Sequence, residues 1–161
     1  MAKKKRSAKK SSRAKKSTPA KKRSVPKKKG GTKRKAGGTS LAGLARKIVR
    51  VTQNPNFGEA EIRALYNPDC TSQEGTGNVD RGYAGLAEKG ERWAQMQTGT
   101  TWNAVNVWVG RDTICIEWDA TVNTRDGRTV KLPEIAVHKI KNGKISDERF
   151  YYNPMALAPP A

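Results

Sequence analysis

From residue 39 onward, apolar positions recur first at helical spacing and then by simple alternation. Thr39 or Ser40 can cap a helix in which Leu41, Leu44, Ala45, Ile48 and Val51 or Thr52 return on one face. A second, short helix is predicted from Glu59 to Tyr66, with Ile62, Leu65 and Tyr66 apolar and Pro68 marking its end. The third runs from about Arg81 to Met96, with Asp80 as its cap and Tyr83, Leu86, Ala87, Trp93 and Ala94 on one side. Three helices therefore come first. After Thr100 the period becomes alternating and predicts strands near 101–109, 113–123, 128–141 and 144–152. Asp126-Gly127 and Asn142-Gly143 are turn dipeptides that permit positive φ between hairpin strands. Pro133 cannot donate to a ladder and belongs at a bulge or an unpaired edge position. Helices followed by an antiparallel meander define an α+β domain whose helices cover one face of a curved sheet.

Alternation also sorts the strand faces. Ile114, Ile116, Trp118, Ala120 and Val122 should be core, which turns Glu117 and Asp119 to the outer face. Glu134, Ala136, His138 and Ile140 share one face of the next strand, and Glu148, Phe150 and Tyr152 share one face of the last. Two carboxylates and the chain's only imidazole lie on these faces, and Trp93, Trp102 and Trp118 are the aromatic candidates. Apolar surroundings raise a carboxyl pKa towards neutrality, so this set can make an acid/base site. Glu134 or Glu148 would be the proton acceptor, with His138 or Tyr152 as the donor to a developing oxyanion. Tyr66 and Phe150 join the three tryptophans as the candidate lining of a pocket for a small hydrophobic ligand.

Charge divides the chain in two. Residues 1–38 contain 18 of the 33 Lys and Arg and no Asp or Glu, in a register of six residues. Its basic pairs are Lys3-Lys4, Lys9-Lys10, Lys15-Lys16, Lys21-Lys22, Lys27-Lys28 and Lys33-Arg34. The remaining residues are nearly neutral, although the whole chain carries a formal charge of +19. Without apolar groups to offset ordering entropy, such an arm is expected to be disordered. It would neutralise phosphates and release counterions without reading sequence. Having no aromatic residue to stack on unpaired bases, it favours duplex DNA as its partner. Its composition resembles the Lys-Ala-Pro-Ser tails of linker histones and bacterial histone-like proteins. A nuclear-import or ribosome-contacting role is an alternative use of the same charges.

Cys70 and Cys115 are far apart and lack metal-ligand spacing, so neither a disulfide framework nor a metal site is expected, and no cofactor is implied. No apolar run is long enough for a membrane span, and none follows the first basic residues as a secretory signal requires. The expected location is cytoplasmic, at the nucleoid in a bacterium, or nuclear in a eukaryote.

The body also carries a family resemblance. Its carriers are the helix end Ala64-Leu65-Tyr66-Asn67-Pro68-Asp69-Cys70, a third helix with Gly85 and Trp93, and Glu134-Ile135-Ala136-Val137-His138-Lys139-Ile140. The hairpin continues through Asn142-Gly143-Lys144-Ile145 to Arg149-Phe150-Tyr151-Tyr152. In that order these segments resemble the SnoaL-like branch of the NTF2-like superfamily over residues 41–154. The resemblance implies a cone, a bent antiparallel sheet wrapped on three helices, with an apolar pocket at the open end and dimerisation through the outer face of the sheet. It implies that the faces carrying Glu134, His138 and Glu148 point into that cone together with Trp93, Trp102 and Trp118. It also implies two departures: Ala136 stands where steroid-isomerase-like members have Asp, and Phe150 where cyclase-like members have an acid.

Three segments are expected: the arm at 1–38, the NTF2-like domain at 39–154 and a short tail at 155–161. The leading functional expectation is a nucleic-acid-associated protein whose body forms a homodimer and so doubles the arm. The alternatives are a SnoaL-like isomerase, cyclase or hydrolase whose arm only localises it, and an interaction module.

Overall fold

A computed structural model describes residues 40–158. Helix α1 spans Leu41–Thr52, and Ser40 caps it by accepting a 3.1 Å hydrogen bond from the Gly43 N–H. It buries Leu44, Ala45, Ile48 and Val51, each large side chain stabilising the fold by about 1.5–3 kcal/mol. Helix α2, Glu59–Leu65, is followed without a break by strand β1, Tyr66–Gln73. Strand β2, Val79–Arg81, returns antiparallel to β1 and leads into helix α3, Gly82–Met96. The long strands β3 (Gln97–Val109), β4 (Thr113–Thr124), β5 (Thr129–Lys141) and β6 (Lys144–Tyr151) complete the domain.

The expectation that all three helices precede the strands is thus corrected, because β1 and β2 separate α2 from α3. Nor is the sheet purely antiparallel. Its order is β2-β1-β6-β5-β4-β3, and β1 runs parallel to β6. A strand following α2 must return to the sheet edge left open by β6, and that edge accepts it in parallel. The result is a curved, unclosed α+β fold of the expected NTF2-like kind.

The two hairpin turns form as their dipeptides require, with positive φ at Gly127, Asn142 and Gly143. Gly82 has φ +63°, and a Cβ there would stand 2.9 Å from the Pro68 carbonyl oxygen. Only glycine starts α3 this close to β1. Pro133 lies opposite Asp119, beyond the Ile135–Tyr151 pair where β6 stops, so β5 has a free edge there.

The inner face of β4 is the core, with Ile114, Ile116, Trp118, Ala120 and Val122 all buried. Glu117 and Asp119 face outward as alternation predicts. On α3 the sheet-facing stripe is Tyr83, Leu86, Lys89 and Trp93, all half-buried, whereas Ala87 and Ala94 are exposed. Asp80 does not cap α3. It lies buried in β2 and accepts two 2.8 Å hydrogen bonds from Arg92, tying the helix to the sheet.

Candidate active site

Strand register brings the polar residues into one row across the concave face. Ile114 of β4 is opposite His138 of β5, His138 opposite Glu148 of β6, Glu148 beside Ser72 of β1, and Ser72 opposite Asp80 of β2. Neighbours in such a row have Cβ atoms about 5 Å apart, so their side chains meet. Glu148 is 1% exposed and receives three donors: Ser72 Oγ at 2.7 Å, Tyr66 OH at 2.8 Å and His138 Nδ1 at 3.1 Å. Lys89 Nζ stands 3.7 Å from Glu148.

Burial by itself would raise the Glu148 carboxyl, but the His138 hydrogen bond, the Lys89 charge and Ser72 outweigh it and hold it down at about 2. With Glu148 ionised, Nδ1 of His138 carries the hydrogen and donates. Nε2 of His138 is buried without a hydrogen-bond partner among the described residues. The Tyr66 hydroxyl is pushed well up, by burial first and then by the negative charge of Glu148.

Two inward positions further along β5, past Ala136, Glu134 lies opposite Trp118. The residue is 7% exposed, and its carboxyl has neither a hydrogen bond nor an ion pair among the described residues. Burial, reinforced by the negative charge of Glu74 and opposed by Lys89, pushes it up to about 8. Glu74 follows directly on β1. It pairs with Lys89 at 2.6 Å and accepts a 2.9 Å hydrogen bond from Tyr152 OH. The Tyr152 hydroxyl is raised, by burial and then by Glu74.

The aromatic residues fall into two groups. Trp102 stands 6.3 Å from Trp93 and 5.6 Å from Trp118 between ring centroids, the second contact edge-to-face. Trp118 is 2% exposed and belongs to the core beneath the other two. Phe150 lies edge-on to His138 and carries Lys89 Nζ 3.8 Å from its ring centroid. The fourth tryptophan, Trp108, points to the outer face and is half exposed.

Glu134, His138, Glu148 and Tyr152 therefore share one side of the sheet with Tyr66, Trp93, Trp102, Trp118 and Phe150, but their environments separate them. Glu148, expected as a possible proton acceptor, is sealed and fully engaged. Ser72, Glu74 and Lys89 were not expected in the site. Lys89 alone carried a signal, since it interrupts the apolar stripe between Leu86 and Trp93. A groove of about 650 Å³ opens between α1 and β3, lined by Ala45, Val49, Ala104, Val107 and Val109 among others. None of the ionisable residues of the cone interior lines it, so its volume says nothing about that site. No cluster of three or more potential metal-ligating side chains occurs among the described residues.

The SnoaL-like domain model matches residues 45–148, well over half of the chain. The chain belongs to the SnoaL-like family. Among solved structures, a Mesorhizobium loti protein assigned as a SnoaL-like polyketide cyclase is 23% identical, with a TM-score of 0.59 over 70% of this chain and 99% of that one. An NTF2-like protein of Burkholderia pseudomallei is 12% identical, with a TM-score of 0.64 over 70% of this chain and 90% of its own. A Jannaschia protein assigned as a SnoaL-like polyketide cyclase is 14% identical, with a TM-score of 0.63 over 73% and 93%. At these identities the solved structures speak for the fold alone. No curated protein matches the chain in sequence.

These matches correct the leading functional expectation. The reading as a nucleic-acid-associated protein rested on the basic pairs from Lys3-Lys4 to Lys33-Arg34, all outside the described residues. The folded body belongs instead with SnoaL-like domains. Charge on an arm supplies attraction without selectivity, whereas the body buries two carboxyl groups, Glu134 and Glu148.

Proposed function

We propose that the chain is a SnoaL-like acid/base enzyme that moves a proton next to the carbonyl group of a small, mainly apolar substrate, as an isomerase or cyclase. The observation that carries this reading is Glu134: a buried carboxyl with no partner, pushed up to about 8, near a second carboxylate. A carboxyl raised to about 8 keeps its proton at neutral pH and can donate it, the role of an acid.

In this reading Glu74 is the base. It takes a proton from the carbon next to the carbonyl; the C–H electron pair forms the enolate C=C bond, and the C=O π pair moves onto the carbonyl oxygen. Glu134, protonated at neutral pH, donates a hydrogen bond or its proton to that oxygen. Return of a proton at another carbon completes an isomerisation, and attack of the enolate carbon on a second carbonyl closes a ring. Trp93 and Trp102 supply apolar surface for the substrate. The His138–Glu148 pair holds the inner layer beneath it. The departures at Ala136 and Phe150 are met by moving the acid one row along β5 to Glu134.

The test is proton exchange. A panel of small apolar ketones and enones is incubated with the protein in D2O, and deuterium is read at the α-carbon. Glu74→Gln should slow exchange by about 10²–10⁴-fold, the range for a positioned acid or base, and Glu134→Gln by a smaller factor. Silence of the unmutated protein across the panel would sink the reading.

We also infer that two copies pair through the outer face of the sheet. Trp108 and Tyr151 are half exposed there, and Cys115 and Val137 continue the apolar row beside Trp108. A patch of this kind marks an interface more often than free surface. Sedimentation should show a dimer that Trp108→Lys converts to monomer. An unmutated monomer at tens of micromolar protein would overturn it.

A further inference from the structure

Lys89 reaches from α3 into the polar row and touches both carboxylate systems at once. Its Nζ is 2.6 Å from Glu74 Oε1, 2.9 Å from Ser72 Oγ and 3.7 Å from Glu148 Oε1. Ser72 Oγ itself donates to that same Glu148 oxygen at 2.7 Å. The ring of Phe150 lies under the ammonium at 3.8 Å. We propose that Lys89 is a mobile counterion: when Glu74 takes up a proton, the ammonium leaves it and closes on Glu148. This rests on the reading of Glu74 as the base.

The reason is the cost of an isolated charge. Lys89 is about three-quarters buried, with 23% of its side chain exposed, and an ammonium in such surroundings loses its main stabilisation when its partner becomes neutral. Glu134 is protonated and offers no compensating charge. Glu148 does, because its donors keep it ionised. From 3.7 Å, a displacement of about 1 Å brings Nζ to ordinary charge-assisted hydrogen-bond distance.

Each neighbour permits that displacement. Ser72 can rotate its hydroxyl and keep a bond to either group. The face of Phe150 attracts the cation in both positions. A lysine stem turns about several single bonds and presents a point charge, whereas the planar fork of arginine fixes a geometry. Proton transfer to Glu74 then leaves no cation unpaired. Lys89 is accordingly a positioning residue, acting on the charge-shifted state and not on substrate binding, so its loss should lower kcat and spare KM.

The experiment has two arms. Glu74→Gln mimics protonated Glu74 with the same shape, and its crystal structure is compared with that of the unmutated protein. Expected is Nζ within about 3.2 Å of Glu148 Oε1 and more than about 3.5 Å from residue 74. An ammonium that stays on residue 74, with the gap to Glu148 unchanged, overturns the proposal. This arm needs no substrate, so it stands or falls separately from the enzymatic reading. In the second arm, Lys89→Met and Lys89→Arg are assayed on whichever ketone exchanges. Turnover should drop at least about tenfold in both variants while KM stays within about threefold. Undiminished turnover in Lys89→Arg, or a loss confined to KM, overturns it; if Lys89→Met does not fold, the arginine variant decides.

Discussion

Glu134 and Glu148 stand on adjacent strands of one concave face, both almost sealed from water, and they titrate in opposite directions. Glu148 lies where three elements converge: β1 sends Tyr66 and Ser72, β5 sends His138, and α3 sends Lys89. Glu134 lies beyond the end of β6, opposite Trp118, and receives no donor. Burial pushes both carboxyls up. What separates about 8 from about 2 is the supply of donors. One fold thus keeps one glutamate as a permanent anion and a neighbouring one as a carrier of a proton.

The sharpest way to break that contrast is pH. The folded-state pKa of Glu134 is raised from 4.5 to about 8, so between those values the unfolded chain gives up a proton that the folded chain keeps. Its contribution to stability is therefore full below about pH 4.5 and falls to a floor near pH 8, a loss of roughly 5 kcal/mol. Glu148 works in reverse. Lowered from 4.5 to about 2, it contributes above about pH 4.5 and is lost as pH falls towards 2, by roughly 3 kcal/mol. Denaturant unfolding from about pH 2 to 9 should show a maximum near pH 5. Glu134→Gln should flatten the alkaline side and leave the acid side in place. A native protein equally stable at about pH 5 and pH 8 would contradict the assignment of Glu134.

Deleting each carboxyl at fixed pH comes next. Glu148→Ala strands the hydroxyls of Tyr66 and Ser72, the Nδ1–H of His138 and part of the Lys89 charge, and should cost about 3–5 kcal/mol near neutral pH. Glu134→Gln removes a group that nothing among the described residues holds, and should stabilise by roughly 3 kcal/mol near pH 7, the share of the pH-linked loss already incurred between about pH 4.5 and 7. Comparable losses for the two would mean that Glu134 has a partner after all. Ser72→Ala should fall between them, at about 1–3 kcal/mol, because it removes one buried link between Lys89 and Glu148. Urea denaturation of the three variants checks the order.

The same contrast explains what could be read from the chain. The alternation of Ile114 to Val122 and the turn at Asn142-Gly143 report packing and backbone geometry, and both are local. Strand β1, with the sequence Tyr-Asn-Pro-Asp-Cys-Thr-Ser-Gln, shows no apolar alternation because its inward residues include Ser72, which serves Glu148. A strand that builds a polar site erases the pattern by which strands are recognised. Missing β1, the sequence offered no route to Ser72 or Glu74, and it placed the three helices together. Lys89 left a weak signal by interrupting the apolar stripe between Leu86 and Trp93, but beside Glu88, Glu91 and Arg92 it resembles one more solvated charge. Glu134 and Glu148 were legible as facing inward, but their opposite roles depend on long-range neighbours that spacing does not reveal.

Two tyrosines carry the contrast to its smallest measurable form. Tyr66 donates to Glu148 at 2.8 Å, and Tyr152 donates to Glu74 at 2.9 Å, so the bonds are nearly the same length. Their settings differ. The residue that receives Tyr66 is 1% exposed, while the Glu74 side chain is 19% exposed and keeps Lys89 as a second partner. A hydrogen bond to a charged group contributes about 1.5–3 kcal/mol, and the more exposed, doubly partnered Glu74 puts Tyr152 at the lower end of that range and Tyr66 at the upper. Tyr66→Phe should therefore destabilise by the larger amount and Tyr152→Phe by the smaller, each read by urea denaturation near neutral pH. The double variant should be additive, since the two hydroxyls serve different carboxylates. Coupling above about 0.5 kcal/mol would instead place Lys89, which touches both Glu74 and Glu148, as the link between the two tyrosines.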